Sequence, residues 1–165
     1  MKLKMGHALL GVIPLLASCA GQPVRVAAVG PAPYTIAASS DRAGQLQVFS
    51  ETEEYEYDES VPYYPHRDYM ILTMTGKRLK HVWNHQNHED ELPAIISLPA
   101  GKYLVTANAE QYGPVQVPVV IKPGEMTRVV LQPGWNPGTA FASTDLVQMP
   151  KGYFIGWRAQ LPAGE

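Results

Sequence analysis

Three imidazoles and three carboxylates fall within the eleven residues His81-Val-Trp-Asn-His85-Gln-Asn-His88-Glu-Asp-Glu91. Nitrogen and oxygen donors of this kind ligate zinc or copper. On a helix His81, His85 and His88 would share one face, but the segment lies among strand-patterned residues. In a strand His81 and His85 stand too far apart for one ion unless the chain folds back after Asn84. The expectation is therefore a polar loop with exposed histidines and no assigned metal ligand, with zinc or copper binding as the alternative.

A second group of candidates lies upstream. Glu51-Thr-Glu-Glu-Tyr-Glu-Tyr-Asp-Glu59 places six acids in nine residues. It lacks the Asp-x-Asp-x-Asp-Gly order of a calcium loop, and clustered like charges favour a solvated loop. Tyr55 and Tyr57 interleave with the acids, and Val61-Pro-Tyr-Tyr-Pro65 follows. Tyr63 and Tyr64 are thus candidate ligand-binding residues, since a phenol offers an apolar face and a polar tip to a sugar or a basic partner. With Trp83 and Trp135 they would form a carbohydrate-binding surface. No Gly-x-Ser-x-Gly, Ser-x-x-Lys, His-Glu-x-x-His or phosphate-binding glycine loop is present, so neither an enzyme nor a cofactor is expected.

Whatever these residues do, strands must position them. Leu46 and Val48 alternate with Gln45 and Gln47, Met70, Leu72 and Met74 share one face, and the same period runs through Lys102–Ala109, Val115–Ile121 and Met126–Leu131. A period of two marks half-buried strands. Seven are predicted, at 46–49, 69–75, 78–84, 94–98, 102–109, 115–121 and 126–131. Pro118 inside such a run points to an edge strand, because proline cannot donate to a ladder. Pro99-Ala100-Gly101 and Lys122-Pro123-Gly124-Glu125 predict hairpins between their flanking strands. The expected fold is all-β, a single antiparallel β-sandwich over 44–132. The extension 133–165 carries one further strand, with Tyr153, Ile155 and Trp157 on one face, expected to dock on the sandwich edge.

Composition agrees. Pro (15) and Gly (14) are abundant, charged residues are 17%, and 13 Lys+Arg face 15 Asp+Glu. That balance provides no basic surface for nucleic acid.

The N-terminus has a different character. Met1-Lys2-Leu3-Lys4 is cationic, the stretch Met5–Leu16 is apolar but broken by Gly6, His7, Gly11 and Pro14, and it closes on Leu16-Ala17-Ser18-Cys19. It is too short for a membrane span. This ending resembles a bacterial lipobox. The resemblance implies a signal peptide over 1–18, cleavage between Ser18 and Cys19, and acylation of Cys19, the one cysteine of the chain. It further implies a lipid-anchored protein of the bacterial cell envelope, with the outer membrane favoured because Ala20 is not aspartate. Removing 1–18 takes Lys2 and Lys4 and no acid, leaving 11 basic and 15 acidic side chains and a net charge of -4. Residues 19–43, rich in Ala, Pro, Gly and Ser, are expected to form a tether with one short strand near Tyr34–Ile36.

The stretch Leu98-Pro-Ala-Gly-Lys-Tyr-Leu-Val, then Ala109-Glu-Gln-Tyr-Gly, then Val119-Val-Ile-Lys-Pro-Gly-Glu-Met-Thr-Arg-Val-Val-Leu131 resembles PEGA and carboxypeptidase-regulatory-like domains. The loop Tyr112-Gly113 reverses their usual Gly-Tyr order. The resemblance implies a transthyretin-like sandwich and no catalytic residues. The function expected from the whole is a non-catalytic structural or interaction module whose partners are the membrane, through the lipid, and an envelope protein or peptidoglycan.

Overall fold

The computed structural model of the chain describes residues 24–33, 42–55, 62–84, 91–138 and 141–160. The alternating sequence becomes eleven strands there: β1 (Val24–Arg25), β2 (Val29–Gly30), β3 (Ala43–Phe49), β4 (Tyr69–Thr73), β5 (Arg78–Val82), β6 (Ile95–Pro99), β7 (Gly101–Ala109), β8 (Gly113–Ile121), β9 (Met126–Val130), β10 (Leu146–Gln148) and β11 (Phe154–Arg158). The one helical element among the described residues is a single 3₁₀ turn, Ser143–Asp145. None of the described helices is long and apolar enough to cross a membrane.

The strands form two sheets in a sandwich-like arrangement. The large sheet runs β10-β11-β2-β8-β7-β4-β5 with β1 also beside β8, and the small sheet runs β6-β3-β9. Between them lie the inward-facing residues of the alternating runs. Leu46, Val48 and Val129 of the small sheet and Ile71, Val105, Val115 and Val117 of the large one are fully buried. Burying each such side chain contributes roughly 1.5–3 kcal/mol. Thr127, a polar residue with no exposure, donates its hydroxyl to the Val120 carbonyl at 2.8 Å and ties β9 to β8.

Three expectations are corrected. The sheets are mixed rather than antiparallel: β3 pairs in parallel with β9, and β1 and β2 pair in parallel with β8. The two Pro-Gly turns, in addition, are not hairpins. Pro99-Ala100-Gly101 carries the chain from β6 in the small sheet to β7 in the large one, and Lys122-Pro123-Gly124-Glu125 carries it back from β8 to β9. Turn residues specify a change of direction, here with Gly124 at φ 69°, and leave the pairing partner to be decided by burial. Pro118, finally, lies in an interior strand. β7 pairs with β8 throughout, and on the other side β1 is in register with Val115 and Gln116 while β2 is in register with Val119. The proline occupies the break between those two short partners, where the parallel ladder is interrupted.

The seven predicted strands all appear, and four short ones join them from the flanks. β1 and β2 come from the stretch read as a tether and lie directly in the large sheet. The strand expected at Tyr34–Ile36 is outside the described residues. β11 docks as the tail was expected to, though between β2 and β10 rather than at the edge. Its approach is fixed by Tyr153, whose hydroxyl donates to the Glu110 carbonyl at 3.0 Å, by Lys151 Nζ, which donates to the Gln111 carbonyl at 2.7 Å, and by the Lys151 amide on the Tyr112 hydroxyl.

At the start of β3, Gly44 lies against the β8–β9 turn. A Cβ there would overlap the Lys122 carbonyl oxygen and stand 2.8 Å from Ile121 Cγ2. Gly44→Ala should therefore destabilise the fold by about 1–3 kcal/mol. The effect should appear in urea unfolding as a lower midpoint at unchanged slope.

Candidate functional site

Between β3 and β4 the chain doubles back as an irregular ribbon. Glu53 N–H donates to the Pro65 carbonyl at 3.0 Å, Tyr55 and Tyr63 exchange both backbone bonds at 3.0 and 3.1 Å, and Arg67 N–H donates to the Glu51 carbonyl at 2.9 Å. Pro62 and Pro65 lack donors, so the ribbon forms isolated bridges instead of a regular ladder. It sits at the end of the large sheet, where Glu51 N–H reaches the Asn108 carbonyl of β7 at 2.9 Å.

Two buried polar side chains hold it there. His66 packs edge-to-face on Phe49, with ring centroids 5.3 Å apart, and its Nδ1 lies 2.6 Å from the Ser50 carbonyl. A carbonyl only accepts, so Nδ1 carries the proton. Burial lowers the His66 pKa from its ordinary 6.5, outweighing the Ser50 hydrogen bond and the nearby Glu91, which both raise it. Asn84, 4% exposed, joins three segments. Its N–H donates to Asp68 Oδ1 at 2.8 Å, its Nδ2 donates to the Arg67 carbonyl at 2.9 Å, and its Oδ1 accepts from Ala94 N–H at 3.1 Å.

This scaffold opens onto a cleft of about 450 Å³ on the outer face of the large sheet. Its walls include Glu53, Arg67, Asp68, Met70, His81 and Thr106. They converge for a topological reason. Along β7 the residues Val105, Ala107 and Ala109 point into the core, so Thr106 and Asn108 point out, and the register places Met70 opposite both Thr106 and His81. Arg67 is held by Glu53 Oε1 at 2.8 Å and Glu51 Oε2 at 3.4 Å, and His81 Nε2 stands 3.8 Å from Asp68 Oδ2. Each pair is partly exposed and contributes at most about 1 kcal/mol. Thr106 has a buried hydroxyl with no hydrogen-bond partner among the described residues. Trp83 stands edge-on to His81 at 4.1 Å and is 60% exposed, which places an open aromatic ring beside the cleft. Together these groups present carboxylates, a guanidinium, an imidazole and a hydroxyl to the hydroxyls or amines of a polar ligand.

The sequence candidates are distributed unevenly over this region. His81 lines the cleft, whereas His85 and His88, like Ser18 and Cys19, lie outside the described residues. Among the described residues no three His, Cys, Asp or Glu side chains gather as metal ligands. Tyr63 is half-buried, its ring 5.7 Å from that of Tyr55. Tyr64 is exposed, with its backbone N–H donating to Glu91 Oε1 at 2.9 Å. Trp135 packs instead on Trp157 of β11, with centroids 6.1 Å apart, across the large sheet from β5 and Trp83. Glu51 and Glu53, expected in a solvated acidic loop, are engaged with Arg67. Arg67, Asp68, Asn84 and Thr106 carried no signal in the sequence. Compared with family models, curated proteins and solved structures, the chain has no match.

His66 makes stability depend on pH. Its folded pKa is below that of the free imidazole, so its contribution is complete above about pH 6.5 and is lost as the pH falls from there through the lowered folded value. Thermal melts between neutral and mildly acidic pH should show this loss. It should flatten in His66→Asn, whose amide can still donate to the Ser50 carbonyl but does not titrate.

Proposed function

We propose that the chain is a lipid-anchored protein of the bacterial cell envelope, facing its partners from the outer membrane as a non-catalytic structural or interaction module. The observation that carries this reading is Leu16-Ala17-Ser18-Cys19 closing a cationic and then apolar start. The position of β1 supports it. Four residues lie between Cys19 and Val24, a span of at most about 18 Å, so acyl chains on Cys19 would hold the large sheet next to the bilayer. Two or three buried chains give stable anchoring without a transmembrane helix. On the strength of the Leu98–Leu131 motif, the sandwich is taken to be of the transthyretin or PEGA-like type. Cys19→Ser should leave a full-length precursor that retains residues 1–18, seen by intact mass. A variant that is still trimmed and membrane-bound would overturn the lipobox reading.

One observation favours glycan as the ligand of such a module: the exposed ring of Trp83 beside a polar cleft. Sugar rings stack on exposed aromatics while their hydroxyls take polar partners. Trp83→Ala should weaken binding of peptidoglycan fragments about tenfold, as removal of an aromatic anchor does. Equal retention of fragments by the two proteins would remove this second reading.

A further inference from the structure

At the end of the sandwich opposite the ribbon, the β4–β5 hairpin combines two chemistries seldom left exposed together. Its turn is well defined. Gly76, at φ 85°, donates its N–H to the Thr73 carbonyl at 2.9 Å, Lys77 N–H donates to Thr73 Oγ1 at 3.0 Å, and Thr73 N–H donates to the Lys77 carbonyl at 2.8 Å. β5 is the last strand of the large sheet, and its register slips opposite Ile71 and Leu72, which pair with Lys80 and Arg78. Leu79 is the extra residue of that bulge and is turned outward.

Met74 and Leu79 are accordingly 50% and 49% exposed, and Lys77, Arg78 and Lys80 beside them are exposed as well. No carboxylate pairs with these three cations among the described residues. The acids gather toward the other end of the sheet: Glu51, Glu53, Glu54 and Glu110 lie there, and Asp68, paired with His81, precedes β4, about 14 Å along the strand from Leu72, which pairs with Arg78. A chain with more acids than bases has thus kept one hairpin cationic.

We propose that the β4–β5 hairpin docks on an anionic phospholipid surface. Lys77, Arg78 and Lys80 meet the headgroups, while Met74 and Leu79 enter the boundary between headgroups and acyl chains. Charge complementarity draws the hairpin in, and the two apolar side chains suit the headgroup–acyl boundary, whereas a hydrophilic polyanion would leave them in water. The turn is already formed, so docking requires little ordering of the backbone. This contact does not depend on acylation of Cys19.

The test places a reporter on the turn. The full chain carrying Cys19→Ser and Thr75→Cys, with an environment-sensitive fluorophore at position 75, is mixed with vesicles of phosphatidylglycerol and phosphatidylethanolamine. Emission should shift to the blue at low salt, and this shift should be lost at high salt and on phosphatidylcholine vesicles. Three cations near an anionic surface contribute on the order of 100-fold in affinity, so K77E/R78E/K80E should weaken the response by about that factor. M74S/L79S should suppress the blue shift even where the protein still sediments with vesicles. The substituted side chains of the hairpin are all exposed, and circular dichroism verifies that each variant keeps its fold. A fluorophore that stays water-exposed on every vesicle, or one that responds equally in the charge-reversed variant, would overturn the proposal. So would a response to soluble polyglutamate without one to vesicles.

Discussion

The alternation of side chains along β7 and β8 is the constraint on which the rest of the structure depends. Val105, Ala107 and Ala109 on one strand and Val115, Val117, Val119 and Ile121 on the other are all buried on one side of the sheet. Their nine-pair register fixes which way every intervening residue must point. Because the core takes the odd-numbered positions, Thr106 and Asn108 face outward, and β4, aligned on β7, with β5 aligned on β4, brings Met70 and His81 to the same face. The cleft is thus a by-product of core packing. A one-residue slip of this pair would empty the core and dissolve the cleft together.

Polar groups complete what the strands begin. The ribbon between β3 and β4 buries little apolar surface, and its prolines deny it a regular ladder. It is held by His66 on the Ser50 carbonyl and by Asn84, which bonds to Arg67, Asp68 and Ala94. Leaving such buried donors or acceptors unpaired costs on the order of 1–3 kcal/mol each. The position of Arg67 and Asp68 beside the cleft follows from these bonds, since Asn84 grips the carbonyl of one and the carboxylate of the other. Rigidity at the site therefore comes from a few hydrogen bonds rather than from a packed interior.

Much of the fold was legible in the sequence, because a period of two is a direct imprint of burial on one face. The runs around Leu46, Met70, Val105, Val117 and Val129 each became a strand. The pairing partners were not legible. Pro99-Ala100-Gly101 and Lys122-Pro123-Gly124-Glu125 are the same whether the chain returns along its own sheet or crosses to the facing one. Pro118 likewise signals a missing donor without saying whether an edge or a gap supplies the tolerance. The candidate site was half legible. The polarity of His81 and the aromatic character of Tyr64 and Trp83 stand out locally. Arg67, Asp68 and Thr106 owe their roles to residues 13 to 36 positions away, and no local pattern encodes that.

The placement of β2 bears on how such a chain can be made. β2 lies between β8 and β11, so one of the earliest strands is flanked by two that come much later, and β3 likewise awaits β9. Contacts of such long sequence separation give a high contact order, which slows folding and postpones most of the stabilisation until nearly the whole chain is available. A nascent segment ending before residue 113 lacks the neighbours of β1 and β2 as well as the parallel partner of β3. This arrangement delays compaction during synthesis, and closure of the large sheet awaits Phe154–Arg158.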